Sequence, residues 1–176
     1  YGPIDQLKEI EARALLNKLH IPMFKIPFIL RQAKRLMHKE MLYLKPFPMI
    51  PNMLSSLHQM GFHLSIVSSN SEENISKWLK QHDIFSYFHF IHNAPQYFGK
   101  SSALKSTIKK YQLDKKKVLY IGDEVRDIEA AKRSGMLSLG VTWGYNNERI
   151  IRKSQPHFIA STPDEIIQIV NDNMDQ

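Results

Sequence analysis

Lys117-Val118-Leu119-Tyr120-Ile121-Gly122-Asp123-Glu124-Val125-Arg126-Asp127 is the stretch whose reading decides the fold. Val118 to Ile121 is an unbroken apolar run, the pattern of a strand buried on both faces, and it stops at Gly122 with three carboxylates in the next five residues. The pattern predicts a strand that delivers acid to one edge of a sheet. Asp123 stands at the strand's carboxyl end. Asp127 lies four residues on, where Ile128 to Arg133 reads as helix, and residues four apart share a helix face, so its carboxylate can turn back toward Asp123. Two carboxylates at one strand end suit a hard divalent cation such as Mg2+, which takes one or two carboxylates and completes its shell with water and phosphate oxygen. A helix dipole that favours acids in a first turn accounts for Glu124, but not for an acid set directly after a buried strand and a glycine.

Working outward, the chain alternates strand and helix. Strands are expected over 63–67, 87–92, 117–121, 137–142 and 157–159, and helices over 72–82, 101–111, 127–134 and 163–171. That order predicts an α/β fold with a Rossmann-like parallel sheet and helices on both faces, in which ligands bind beyond the carboxyl ends of the strands. Upstream, residues 46–51 hold three prolines, Pro46, Pro48 and Pro51, a stiff connector that divides a small helical part, 1–45, from the α/β part, 46–176. A helix from Asn52 to Met60 follows, with Gly61 as its C′ residue. In the first part, Leu7, Ile10, Ala14 and Leu15 make a partly apolar stripe that Pro22 interrupts. Arg31, Lys34, Arg35, His38 and Lys39 then fall on one basic helix face.

Composition sets the outer bounds. The 176 residues are 43% apolar and 23% charged, ordinary for a folded globular chain. The absence of cysteine excludes disulfides, thiolate metal sites and cysteine nucleophiles, and fits a reducing, cytoplasmic setting. No apolar run is long enough for a membrane helix. The net charge of +7 points to anionic partners. Because the basic residues are dispersed and few aromatics interleave with them, a solvated basic surface, or a field that draws in a phosphorylated small molecule, is expected rather than nucleic acid.

Two further groups belong at strand ends. Ser68-Ser69-Asn70-Ser71 closes the first strand ahead of a helix with Glu72 and Glu73 in its first turn. Its hydroxyls and free N–H groups make an anion site, with Asn70 as the expected N-cap and Glu73 at N3. Lys100 follows Gly99 at a helix start, a position where the dipole disfavours a cation, and a nearby anion would account for it. Ala94 to Ser101 superficially matches a phosphate-binding P-loop. Ala94 replaces its first glycine, however, and Pro95, Tyr97 and Phe98 suit such a loop poorly. The histidines form no metal-protease pair, and Gly-x-Ser-x-Gly is absent.

In that order, Ser68 after a strand, Lys100 before a helix and Gly122-Asp123-x-x-x-Asp127 resemble the second, third and fourth motifs of the haloacid dehalogenase superfamily. The likeness extends through Ser68 to Asn74, Gly122 to Ala131, Gly135 and Gly140-Val141-Thr142-Trp143-Gly144, and looks like the phosphoglycolate-phosphatase branch. The resemblance implies that residues 1–45 are a helical cap and that the complete protein is a Mg2+-dependent phosphomonoester hydrolase working through an aspartyl-phosphate. Asp123 would hold the metal, Asp127 would order the metal's waters or the lysine, and Ser68 would bind a phosphoryl oxygen with the N–H groups of Ser69 and Asn70. Lys100 would offset charge on the phosphate and the nucleophile. Arg31, Arg35, Trp143 and Tyr145 are candidates for substrate contact.

The family's first motif, an apolar strand ending Asp-x-Asp-x-Thr, has no match; Asp5 has neither the strand before it nor the second aspartate. The expectation is therefore a gap between the strands that carry Ser68 and Asp123, with about 20 to 40 further residues ahead of Tyr1 to supply the nucleophile. An inactive member of the fold that binds an anionic partner is the alternative reading. Met49 also stands after Pro-Phe-Pro where relatives often place glycine, at the hinge between the two parts.

Overall fold

The computed structural model describes residues 22–25, 28–29, 32, 43–93 and 99–174. The stripe from Leu7 to Leu15, the basic face from Arg31 to Lys39, Asp5 and most of the P-loop-like segment lie outside them. The chain divides into two compact units, Tyr1–Lys45 and Pro46–Gln176. In the first, a short 3-10 turn, Met23–Lys25, follows Pro22 and is closed by a 2.9 Å bond from Lys25 N to the Pro22 carbonyl. Among the described residues no helix is long and apolar enough to cross a membrane.

The second unit opens with α1, Ile50–Gln59, whose N-cap is Met49. Pro51 was expected in the connector but sits in the first turn of this helix, where its missing N–H has no partner to lose. Gly61 takes φ +86°, as its expected C′ place requires. There follow β1 (Leu64–Ser68), α2 (Glu72–Gln81), β2 (Phe88–Asn93), α3 (Lys100–Tyr111) and β3 (Leu119–Gly122). Then come α4 (Val125–Ser134), β4 (Leu137–Val141), α5 (Glu148–Lys153), β5 (Phe158–Ala160) and α6 (Pro163–Asn173). The strands match the expected ones to within two residues. The sequence reading omitted α5, which starts from Asn147 as N-cap, its side chain accepting from Ile150 N at 3.1 Å.

All described pairings are parallel, and they form two sheets, β1-β2 and β3-β4-β5. No pairing joins β1 to β3 among the described residues, where the sequence led us to expect a gap. The two sheets are tied instead through α3. Leu104, Ala130, Ala131 and Met136 form a buried cluster, and Val67 of β1 packs on it together with Val118 and Tyr120 at β3. Leu104 lies one turn beyond Lys100, so the carboxyl ends of β1 and β3 converge near the start of α3.

β3 is half-buried along its length and Ile121 is 38% exposed. Among the described residues β3 pairs with β4 alone, and its open edge faces the gap where a further strand is expected. β4 has neighbours on both sides, and its Leu139 is fully enclosed. The described histidines include structural and paired ones. His157 Nδ1 accepts from Ser138 N at 3.1 Å and helps hold β5 to β4, and His63 stacks on His89 at 4.1 Å.

Candidate active site

β3 ends at Gly122, and Asp123 and Glu124 lead directly into α4. The carboxylates of Asp123, Glu124 and Asp127 gather there, with one ligand atom of each lying within 4.8 Å of the others. Gly122 makes this possible, because a Cβ there would come within 2.7 Å of the Asp127 carboxylate. Asp127 serves two elements. As N3 of α4 it closes a capping box, its Oδ2 accepting from Glu124 N at 3.3 Å. Its Oδ1 points the other way and forms an ion pair with Lys100 Nζ.

Lys100 is the first residue of α3, after Gly99 at φ +73°, and the first turn of that helix holds no acid. The unfavourable meeting of ammonium and helix dipole is thus offset by a buried carboxylate: the Asp127 side chain is 3% exposed and that of Lys100 29%. The ammonium also lies 5.8 Å from the centre of the Tyr120 ring. Burial pushes the Tyr120 hydroxyl well above its ordinary range, and the negative charge of Asp127 adds to that. Arg126 reaches back to Glu124, Nη2 to Oε1 at 2.6 Å. Burial works against the Arg126 charge, but the hydrogen bond and attraction of Glu124, then Asp127 and Asp123, outweigh it and raise its pKa.

Asp123 is held from the far side by the loop that follows β4. Tyr145 N donates to its Oδ2 at 2.8 Å, and Asn146 N donates to its carbonyl at 3.0 Å. Asn146, itself buried, accepts from Val125 N through Oδ1 at 3.0 Å and so fixes the first turn of α4 as well. Gly144 allows this approach, since a Cβ there would fall 2.6 Å from Asp123 Cγ. Of Tyr145, then, it is the backbone N–H that serves the acid, while the ring is 39% exposed. Sequence reading did not identify Glu124, Gly144 or Asn146 as parts of the site. The available signal was the glycine directly after Trp143, at the exit of β4.

Ser68 ends β1, and its Oγ accepts from Asn70 N at 3.1 Å, which leaves the hydroxyl hydrogen free to donate. Asn70 is not the N-cap of α2. Ser71 takes that place, its Oγ accepting from Asn74 N at 3.3 Å, and Asn70 Oδ1 accepts from Ser71 N at 2.9 Å and Asn74 Nδ2 at 3.2 Å. The displacement by one residue follows from the turn: Asn70 prefers a local side-chain bond, and the next hydroxyl caps. Ser69 is exposed in the same turn. The structure therefore gathers Asp123, Glu124 and Asp127 within 4.8 Å of one another and pairs Lys100 with Asp127, while Ser68 to Asn70 close β1.

The donor set is all oxygen, three carboxylates against two cations, and it suits a divalent ion of the hard class. The chain is 28% identical over its whole length to a phosphoglycolate phosphatase of Synechococcus elongatus, 85% of which it covers. It is 32% identical over 127 residues, 70% of this chain, to one of Vibrio parahaemolyticus, and that match spans 56% of the relative. A haloacid dehalogenase-like hydrolase from Streptococcus pneumoniae shares the fold with TM-score 0.74 at 22% identity, covering 84% of this chain and 71% of that one. The family described as haloacid dehalogenase-like hydrolase matches residues 3–141, well over half the chain, and to that family the chain belongs.

Proposed function

We propose that the protein is a Mg2+-dependent phosphomonoester hydrolase that works through an aspartyl-phosphate, its nucleophilic aspartate supplied by a segment outside these 176 residues. The observation that carries this reading is the junction of β3 and α3, where Asp123, Glu124 and Asp127 crowd together with Lys100 clamped to the most buried of them. Three carboxylates at one strand end repel one another unless cations share the space, and among the described residues two protein cations, Lys100 and Arg126, do. Mg2+ held by Asp123 would supply the missing charge and draw the phosphate toward the nucleophile.

The chain's own residues then divide the work. Lys100, oriented by Asp127, offsets charge on the phosphoryl oxygens. The Ser68 hydroxyl, anchored through its oxygen by Asn70 N, donates its hydrogen to a phosphoryl oxygen; Ser69 lines the same turn. In the first step the phosphoryl group passes from the ester oxygen to the aspartate carboxylate, and the second aspartate of the same outside segment gives its proton to the leaving alcohol. In the second, that aspartate takes a proton from the water that attacks phosphorus, the nucleophile's carboxylate is restored and inorganic phosphate departs. In this reading residues 1–45 are a helical cap that selects the substrate. The names of the relatives make phosphoglycolate the first substrate to try.

The test uses the native gene product, whose intact mass and N-terminal sequence are determined first. Phosphate release from an aryl phosphate and from phosphoglycolate is then followed with Mg2+ and with chelator. Asp123→Asn and Lys100→Met are each expected to lose at least about a thousandfold in rate. Near-parental turnover in either variant, or turnover indifferent to chelator, refutes the assignment. A folded native protein without an upstream nucleophile and without turnover makes the site one that binds a phosphate it does not cleave.

A further inference from the structure

The chain's positive charge is not evenly spread in the fold. Residues 105–117 contain six lysines and one acid, Asp114, which is five of the chain's net +7 in thirteen residues. Lys105, Lys109, Lys110, Lys115, Lys116 and Lys117 are all exposed. None has an acidic partner among the described residues, whose ion pairs all lie elsewhere. The one acid is occupied, its carboxylate accepting from Lys116 N at 3.0 Å.

The helix dipole explains only part of this. Lys109 and Lys110 lie in the last turn of α3, where a cation is favoured. Lys115–Lys117 form a 3-10 turn ahead of β3 and belong to no α-helix. Lys115 extends over Gly135 at the end of α4, its Nζ 3.5 Å from where a Cβ would stand there. Five of the lysines therefore gather at the end of α3 and the entry to β3, and Lys105 lies midway along α3. Lys100 and Asp123 lie at the other ends of those same two elements, with about 15 Å of helix axis between Lys100 and Lys110.

We propose that this lysine face docks the sugar-phosphate backbone of nucleic acid without reading its bases, while the active site at the opposite end stays open. The side chains favour that partner over a lipid surface, because no large apolar side chain in 105–117 is exposed for insertion into a bilayer. They also exclude base stacking. Tyr111, the only aromatic residue in the segment, lies flat against Phe90 at 3.6 Å and has Lys110 5.0 Å from its ring centre. What remains is a set of mobile point charges, which suits a dense row of phosphates. This runs against the expectation from the sequence, where the basic residues were judged by their dispersal rather than by this local density.

The test is fluorescence anisotropy of end-labelled oligonucleotides, single and double stranded and of two unrelated sequences, titrated with the native protein from about 25 to 300 mM KCl. Equal binding to both sequences is expected, with a log–log salt slope of about −3.5 to −4.5 if five lysines engage. Lys115→Gln/Lys116→Gln/Lys117→Gln should flatten that slope by about 2 to 3 and weaken binding at least about tenfold at low salt. Phosphate release from a small ester should stay at the parental rate in this variant, which separates the face from the active site. No binding at the lowest salt overturns the proposal, as does a triple variant that binds like the parent. Sequence-dependent binding, or tighter binding to phosphatidylserine vesicles than to oligonucleotide at matched phosphate, overturns it in favour of another reader.

Discussion

Breaking the Lys100–Asp127 pair from its two ends should have unequal consequences. Lys100→Met removes the charge and keeps the length of the stem, leaving the Asp127 carboxylate, 3% exposed, without its ion-pair partner. An uncompensated buried charge costs about 3 to 5 kcal/mol. Asp127→Asn leaves an ammonium that is already 29% exposed and can swing to water, and its amide oxygen can still accept from Glu124 N. That change should cost about 1 to 2 kcal/mol, the scale of one weakened hydrogen bond to a charged group. The double variant carries no buried charge and should be more stable than Lys100→Met alone, a recovery of about 2 to 3 kcal/mol. Urea unfolding in chelator reads all four proteins without stabilisation by bound metal; with a slope of about 1 to 3 kcal/mol per molar, Lys100→Met should lower the midpoint by more than about 1 M. A Lys100→Met protein within about 1 kcal/mol of the parent, or a double variant weaker than both singles, refutes the reasoning.

Three further outcomes are expected. Met49 is held at φ +66° and is 45% exposed, so Met49→Gly should relieve more left-handed strain than it adds in unfolded-state entropy and stabilise by about 0.5 to 1 kcal/mol; a lower melting temperature contradicts this. Gly144→Ala should displace Asp123, whose Cγ lies 2.6 Å from the new Cβ, and weaken Mn2+ binding, read by paramagnetic resonance, about ten- to a hundredfold. Unchanged affinity would show that the loop yields without moving the acid. Tyr120 keeps its proton in the folded state well above the ordinary value near 10, so its contribution is intact below about pH 10. Above that the unfolded chain loses the proton first, and stability falls by about 1.4 kcal/mol per pH unit through this group. Tyr120→Phe should remove that part of the slope, and parallel curves for the two proteins would exclude it.

How much of this was legible in the sequence depended on whether a feature has a local signature. The strands and most helices were readable because burial imposes a period on the residues of one segment, and the acids of Gly122 to Asp127 were readable because an abrupt end to an apolar run is itself a local event. An apolar run records what a strand is suited to, whereas its exposure depends on which neighbour pairs with each edge, and among the described residues β3 has a neighbour on one side alone. The cap of α2 shifted from Asn70 to Ser71 because four consecutive residues can each cap, and only the path of the turn chooses between them. The short α5 escaped notice since six residues give less than two turns of periodicity.

The hold on Asp123 was illegible for a deeper reason. Its partners are backbone N–H groups of Tyr145 and Asn146, 22 and 23 residues away, and every residue type but proline carries such a donor. What the sequence does record is the permission for the contact rather than the contact itself: Gly122 and Gly144 lack the one atom that would collide with Asp127 and Asp123. The two glycines flank the two acids from opposite segments, one at the exit of β3 and one beyond the exit of β4. A site assembled at parallel strand ends therefore shows itself twice, as charge where the chemistry is and as missing side chains where the chain closes around it.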